Sequence, residues 1–119
     1  MLYHIRYNVD MTVEVRLLES AAEFILTQDI KMRAKIQRTI AMLEDFGYNL
    51  REPHVKKIQG VNDLYELRVK VATNICRLFF FQFEGKVYIV TSGYVKKEDK
   101  TNSREIEKAY KLMMHYKEG

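Results

Sequence analysis

Apolar residues recur at helical spacing in the first half of the chain and again near its end. After Asp29 they are three and four residues apart, which predicts a helix with one buried face, Asp29 as its N-cap and Gly47 just past its C-terminus. A shorter helix is predicted from Ser20 to Gln28. A final helix is predicted to begin after Thr101, Asn102 or Ser103 as its cap, with Glu105 placed to complete a capping box on Asn102. The buried positions of the two longer helices are predicted to be Met32, Ile36, Ile40, Leu43 and Phe46, and Ile106, Ala109, Tyr110 and Met113.

Between these helices the pattern changes to alternation, which is typical of strands. Residues 64–71 alternate cleanly and predict a half-buried strand, whereas residues 75–83 are apolar on nearly both faces and predict a central strand. Residues 86–94 follow as its hairpin partner. Residues 3–7 and 13–18 predict one or two further strands, with a turn between them. This segregated order predicts an α+β fold, in which two N-terminal helices and a C-terminal helix pack on a small, largely antiparallel sheet.

The lengths of two predicted hairpin loops set the cross-strand register. If residues 72–73 form an even-length loop, Arg68 lies directly opposite Arg77. If residues 84–85 form a two-residue loop, Arg77 lies opposite Ser92. An odd loop would break this alignment, because a slip of one residue exchanges the two faces of a strand. The side chains predicted to share one sheet face are Arg68, Arg77, Ser92, Tyr94 and Lys96.

The opposite face of the sheet is predicted to be the hydrophobic core. Cys76 lies on that face and is expected to be buried and unreactive. Phe79, Tyr88 and Val90 fall on the charged face, so part of that face must be covered. The predicted core positions are Leu67, Val69, Cys76, Leu78, Phe80 and Ile89.

Two opposed arginines repel each other, so the charged face requires an acidic neighbour or an anionic ligand. Glu66 is the candidate neighbour. Two interpretations remain open at this stage. The arginines are solvated or paired with Glu66 and Glu84, or they bind an anion in an open cleft. In the second case Arg77→Ala should cost little stability, within about 1 kcal/mol.

Composition and charge restrict the class of protein. A chain of 119 residues with 47% apolar content suits one domain, here residues 1–119. The net charge of +4 suits an anionic partner without requiring one. A single cysteine cannot form an intramolecular disulfide, which favours a reducing cytoplasm. Because no apolar run approaches membrane-spanning length, we expect a soluble, unprocessed cytoplasmic protein without a membrane partner.

Other candidate chemistries find little support in the sequence. The histidines, His4, His54 and His115, are far apart and have no companion at metal-ligand spacing. There is no nucleotide-binding glycine loop and no nucleophile elbow. We therefore expect no metal site and no cofactor.

The segments that follow Lys56 together resemble the HigB and phage Gp49-like toxins of the RelE superfamily. The resemblance runs from about Val13 to Tyr116, and it is the ordered set of segments, more than any one of them, that is specific. The segments are Leu64-Tyr65-Glu66-Leu67-Arg68, Asn74-Ile75-Cys76-Arg77-Leu78-Phe79-Phe80, Gly93-Tyr94-Val95-Lys96-Lys97 with Lys100-Thr101, and Arg104-Glu105-Ile106-Glu107-Lys108-Ala109.

This resemblance implies a RelE-like fold and a toxin that cleaves mRNA on the ribosome. It implies attack by the substrate's own 2′-OH without a metal, and a cognate antitoxin of helix-turn-helix type. The oligomeric state stays open. Residues matching the family's positions imply catalysis by Arg77, Lys96 and Lys97. The residues implied to bind RNA are Arg68, Tyr94, Lys56, Lys57 and Lys100.

One departure from the family pattern lies beside these residues. The family commonly has a histidine, a glycine and an aromatic residue before its paired lysines, whereas this chain has Ser92-Gly93-Tyr94. The rival interpretation is a binding module that keeps the fold and the basic face and acts without catalysis on RNA, ribosome or protein.

Overall fold

The alternating segments form one five-stranded sheet in the computed structural model, which describes residues 12–119. The strand predicted at residues 3–7 and the turn after it lie outside this range. The sheet order is β1-β5-β4-β3-β2, and neighbours are antiparallel except β1, which runs parallel to β5. The elements are β1 (Glu14–Leu17), α1 (Glu19–Leu26), α2 (Ile30–Phe46), a 3-10 turn (Gly47–Asn49), β2 (Val55–Lys57), β3 (Tyr65–Val71), β4 (Asn74–Phe83), β5 (Val87–Val95) and α3 (Ser103–Glu118).

The predicted α+β fold is confirmed, and the helix boundaries follow from local capping. Asp29 accepts a hydrogen bond from the Met32 amide at 2.8 Å, which satisfies a free donor at the start of α2. Gly47 ends the helix with a φ of 54°, in the left-handed region that glycine adopts without strain. Asn102 caps α3 by accepting from the amides of Arg104 and Glu105. The three-residue strand β2 was not predicted, because so short a segment shows no alternation.

The sheet is covered on both faces. Helices α1 and α2 pack on one face and α3 packs on the other, so that the chain has two hydrophobic cores. The buried sheet residues of the α1/α2 face are Leu67, Val69, Cys76, Leu78, Phe80, Tyr88 and Val90. Those of the α3 face are Phe79, Phe81 and Ile89, which pack against Ala109 and Met113 of the helix.

The register between β3 and β4 agrees with the prediction. Residues 72–73 form the two-residue loop, and Arg68 lies directly opposite Arg77. The predicted burial of Cys76 is also confirmed, since its thiol is fully buried under α1 and α2.

The register between β4 and β5 differs from the prediction in its first half. The loop contains residues 84–86, and its odd length moves Tyr88 and Val90 to the α1/α2 face and Ile89 to the α3 face. Thr91 then forms a β-bulge that restores the predicted parity. The assignment of those three residues was therefore wrong.

Beyond the bulge, Ser92 and Tyr94 do share the face of Arg68 and Arg77, while Lys96 lies just past the end of β5 at Val95. Tyr94 pairs with Arg77, and Ser92 pairs with Phe79, so the predicted direct pairing of Arg77 with Ser92 is wrong by two residues. The loop and the bulge each shift the strand by one residue. Their effects on parity cancel.

Candidate functional site

A row of polar side chains crosses the α3 face where β5 approaches the N-terminus of α3. Arg68 on β3, Arg77 on β4 and Tyr94 on β5 are successive cross-strand neighbours. The Tyr94 ring stacks on Phe79 at a centroid distance of 5.8 Å. Its hydroxyl accepts a hydrogen bond at 3.2 Å from the amide of Asn102, the cap of α3. The row is thereby tied to the start of the helix.

Arg77 lies inside the protein, where it is 6% exposed. Its Nη1 lies 3.3 Å from Oε1 of Glu66, and Glu66 is only 3% exposed. Nη1 also donates to the Thr101 hydroxyl, which donates to Oε2 of Glu66 at 3.2 Å. Nη2 donates to the Asp99 carbonyl at 3.1 Å. We call Glu66, Arg77 and Thr101 the interior cluster.

The predicted acidic neighbour of Arg77 is therefore present, but the expectation of an open cleft at Arg77 is wrong. Residues 99–101 cover the guanidinium group, so that little of its surface reaches solvent. Removing one partner of a buried ion pair leaves an uncompensated charge, which typically costs about 3–5 kcal/mol. Removal of Arg77 is therefore expected to destabilise the protein, and its hydrogen bonds to Thr101 and the Asp99 carbonyl tie the chain that leads into α3 to the sheet.

The other cations of the site form a more open group, which we call the open rim. Arg68 is half-buried, and Lys97 and Lys100 are exposed. Among residues 12–119 these three side chains have no ion-pair partner. The side chain of Lys96 is 14% exposed, and its Nζ lies 3.5 Å from the exposed carboxylate of Asp99. The open rim is thus defined by Arg68, Lys96, Lys97 and Lys100.

A shallow depression of about 330 Å³ adjoins the open rim. The residues that line it are Lys96, Lys97, Thr73, Ile75 and the two carboxylate residues Glu98 and Asp99. The amide of Lys96 donates to the Ile75 carbonyl at 2.8 Å, so the β4–β5 ladder continues past the end of β5 and fixes one wall. The depression can admit an anionic group beside two ammonium groups.

Lys56 and Lys57, predicted together as RNA-binding residues, point to different faces of the sheet. Lys56 pairs with Glu66 and shares the face of the interior cluster, whereas Lys57 pairs with Tyr65 on the α1/α2 face. Both are exposed at the edge of the sheet. The structure thus brings Lys56 to the side of the site and separates Lys57 from it.

The packing of α1 against β5 requires a glycine at position 93. A Cβ atom at this position would lie 2.6 Å from Cδ2 and 2.8 Å from Cε2 of the Phe24 ring on α1, and 3.2 Å from the Arg77 carbonyl oxygen. Real Cβ atoms do not approach a ring so closely, and only glycine lets α1 pack directly behind the site. The helix, β5 and the strand that carries Arg77 are therefore held in close contact.

No pattern in the sequence indicated the covering segment. Thr101 and the Asp99 carbonyl reach Arg77 only because the chain between β5 and α3 folds back over the strand.

Within residues 12–119, no three or more His, Cys, Asp or Glu side chains are grouped so that they could hold a metal ion. No helix in the same range has the length and apolar character to cross a membrane.

Residues 23–114 match the family model described as "Phage derived protein Gp49-like". The chain belongs to the Gp49-like family. The match covers α2, β2 to β5, the second half of α1 and most of α3, so it includes the interior cluster and the open rim. The predicted family, a branch of the RelE superfamily, is confirmed for its Gp49-like part. No curated protein matches the sequence.

Solved structures of RelE toxins share the fold of this Gp49-like protein. A free mutant of the E. coli toxin RelE superposes with a TM-score of 0.63 at 20% identity, covering 85% of this chain and 97% of that one. The toxin–antitoxin complex RelBE of E. coli gives 0.54 at 18% identity, with 74% and 99% covered. The archaeal RelE–RelB complex from Pyrococcus horikoshii gives 0.52 at 17% identity, with 76% and 100% covered. The predicted RelE-like fold is confirmed.

Proposed function

We propose that this Gp49-like protein is the toxin of a toxin–antitoxin pair, of the HigB type, and that it cleaves mRNA on the ribosome. The observation that carries the proposal is the open rim, where Arg68, Lys97 and Lys100 have no ion-pair partner within residues 12–119 and Lys96 and Lys97 line a depression. Such a group is stabilised by an anionic ligand, and a phosphate of the RNA backbone meets that requirement. The fold shared with RelE toxins supports the same conclusion.

The cations have different roles in this proposal. Lys96 and Lys97, beside the depression, contact the scissile phosphate, and Arg68 and Lys100 bind its neighbours. Tyr94, which lies beside Arg77 in the row of polar side chains on the α3 face, orients the RNA. Arg77 is a positioning residue, because Glu66 and Thr101 engage its guanidinium group. It holds the segment that carries Lys96 to Lys100.

The proposed reaction needs no group from outside the protein and the RNA. The 2′-oxygen attacks the adjacent phosphorus, a P–O2′ bond forms, and the P–O5′ bond breaks. The 2′-proton leaves and the 5′-oxygen accepts a proton, which leaves a cyclic phosphate and a free 5′-hydroxyl. Negative charge grows on the phosphate oxygens in the transition state, and cations aimed at them lower the barrier.

The proposed partners follow from the similar structures. Two of these are toxin–antitoxin complexes, and we extend this arrangement to a cognate antitoxin of helix-turn-helix type. Action on the ribosome and its mRNA would require a cytoplasmic location. Pairing with an antitoxin would restrict toxicity to conditions in which the antitoxin is lost.

Primer extension on mRNA after induced expression tests the proposal. Wild-type protein should produce cuts that disappear when translation is blocked. Lys97→Ala should lower cleavage by about a hundredfold or more, because removal of one donor to the developing charge costs that order of rate. Lys108→Ala, an exposed lysine on α3, is the matched control and should cleave as wild type. The absence of cuts in any translating extract would refute the cleavage function.

A second candidate function is the binding module without catalysis. Two observations favour it: Arg77 is engaged inside the protein, and fully buried Ser92 occupies the place of the family's common histidine. This alternative predicts ribosome association that depends on Lys97 without any cleavage. Co-sedimentation with ribosomes, measured beside primer extension, distinguishes the two functions.

A further inference from the structure

A pocket of about 540 Å³ opens on the α1/α2 face, away from the interior cluster. It lies between the 3-10 turn that follows α2 and the β4–β5 hairpin end of the sheet, and its volume is in the range of small-ligand sites. Four aromatic residues contribute to its walls, and none of them belongs to the site described above. They are Tyr48, Tyr65, Phe80 and Tyr88.

Three of these rings form a continuous aromatic tier across the sheet. Phe80 on β4 stacks on Tyr65 of β3 at 5.6 Å and on Tyr88 of β5 at 5.5 Å, with interplanar angles of 24° in both pairs. Tyr48, from the 3-10 turn, is 61% exposed and lies at the mouth. An exposed ring above an aromatic floor can stack on a planar ligand.

Three of the pocket's aromatic residues, Tyr48, Tyr65 and Tyr88, carry hydroxyl groups. Burial raises the pKa of Tyr88, and the phenols of Tyr48 and Tyr65 make smaller contributions in the same direction. Within the described part of the chain none of them makes a hydrogen bond to a protein group. Tyr88 is only 4% exposed as a residue, while its hydroxyl stays accessible to solvent. The hydroxyl can therefore hydrogen-bond a polar ligand in the pocket.

Cations surround the mouth. Arg51 and Lys57 line it and are exposed, and Glu52 is the acidic residue among them. Exposed Lys56 contributes to the lining from the edge strand β2, where it faces the side of Glu66. In the range 12–119 the three cations make no ion pair. A planar, hydrogen-bonding, anionic ligand satisfies rings, hydroxyls and cations together. A nucleotide has all three properties.

The edge strand β2 connects this pocket with the functional site. Lys56 faces the side of Glu66, and Lys57 faces the pocket side, one residue further along the strand. An RNA strand that passes over this edge meets phosphate-binding groups on both faces of the sheet.

From these contacts we infer that the pocket binds an unstacked base of single-stranded RNA, with Arg51, Lys56 and Lys57 on the flanking phosphates. The inference rests on the proposed function for the source of the RNA, and it adds a second contact, on the opposite face of the sheet. Stacking on tyrosine tolerates any base, whereas the hydroxyls contribute selectivity through the base edge.

The test uses a fluorescein-labelled, short single-stranded RNA in which every 2′-OH is methylated, so that it binds without being cleaved. Tyr48→Ala should weaken binding by about tenfold, because loss of one base–aromatic stack costs at least that much. Tyr110→Ala is the matched control, since Tyr110 is 42% exposed on α3. Lys57→Ala should reduce the dependence of log Kd on log salt by about 0.7, the slope of one phosphate contact to a single strand. Thermal melting of each variant reports on folding.

The outcomes separate this inference from the proposed function. If Tyr48→Ala and Lys57→Ala bind the methylated RNA as wild type does, the pocket inference is refuted, whatever the cleavage assay shows. The pocket inference is also refuted if the RNA fails to bind and a protein partner shields Tyr48 instead. If binding depends on Tyr48 but wild-type protein never cuts mRNA, the pocket inference is supported and the cleavage function is refuted.

Discussion

Arg77 and Arg68 lie directly opposite each other on neighbouring strands, yet their surroundings differ. Arg77 belongs to the interior cluster, where Glu66, Thr101 and the Asp99 carbonyl surround it. Arg68 belongs to the open rim and, within residues 12–119, has no ion-pair partner. The strand register makes the two positions equivalent. Their difference arises from the segment between β5 and α3, which covers one arginine and leaves the other uncovered.

This comparison separates stability from function within a single charged face. A cation that is desolvated and paired contributes to folding, and its removal exposes the cost of the buried carboxylate. A cation at the surface contributes little to folding, because water and ions screen it. It remains available for a ligand. Substitutions in the two groups should therefore change different measurements.

The largest expected effect is the loss of stability in Arg77→Ala. The substitution leaves the Glu66 carboxylate buried without its cation and should lower the free energy of unfolding by about 3–5 kcal/mol. Urea denaturation measures it. The double variant Glu66→Leu with Arg77→Met should recover most of the loss, because buried pairs can often be replaced by apolar residues of similar volume. A loss below about 1 kcal/mol for Arg77→Ala would show that the pair is solvated.

The next effect concerns the packing behind the interior cluster. Gly93→Ala should cost about 1–3 kcal/mol, since the new methyl group overlaps the Phe24 ring. The double variant Gly93→Ala with Phe24→Leu should be less destabilised than the sum of the two single substitutions, because the smaller leucine side chain leaves room for the new methyl group. Thermal or urea unfolding of all four proteins gives the coupling. Strict additivity would contradict the close contact.

Substitutions in the open rim should change the salt dependence of RNA binding more than they change the stability of the protein. Lys97→Ala and Lys100→Ala should each change stability by no more than about 0.5 kcal/mol. Each should also reduce the salt dependence of single-stranded RNA binding by about 0.7 in log–log slope. Lys108→Ala serves as the control for nonspecific charge. A large stability loss would place these lysines with the interior cluster.

The smallest effect is expected at Cys76, which lies next to Arg77 on β4 but faces the opposite core. Burial, with a smaller contribution from the charge of Asp29, raises the pKa of the thiol from 9.0 to about 11. The native protein should therefore resist a thiol reagent near neutral pH, where the thiolate is scarce. Because the raised pKa favours the protonated native form, this contribution to stability is complete below about pH 9 and is lost as the pH rises through 11. Rapid labelling of Cys76 in the native protein would show that the core under α1 and α2 is open to solvent.

The local features of the fold could be read directly from the chain. The start of α2 at Asp29 and its end at Gly47 depend on neighbouring residues, so the pattern of the sequence was sufficient. For α3 the sequence left Thr101, Asn102 and Ser103 as possible caps, and the structure uses Asn102. The two-residue loop at 72–73 likewise determined the pairing of Arg68 with Arg77. The choice of face for Cys76 followed from alternation alone.

The features that require distant segments were decided by the tertiary structure. The bulge at Thr91 compensates an odd hairpin loop, and alternation cannot reveal two slips that cancel. The burial of Arg77 depends on the path from β5 into α3, which the docking of Met113 and Ala109 against the sheet fixes. The aromatic pocket likewise joins segments far apart in the chain. Local propensity determines which residues form a strand or a helix, whereas the exposure of a charge depends on what packs above it.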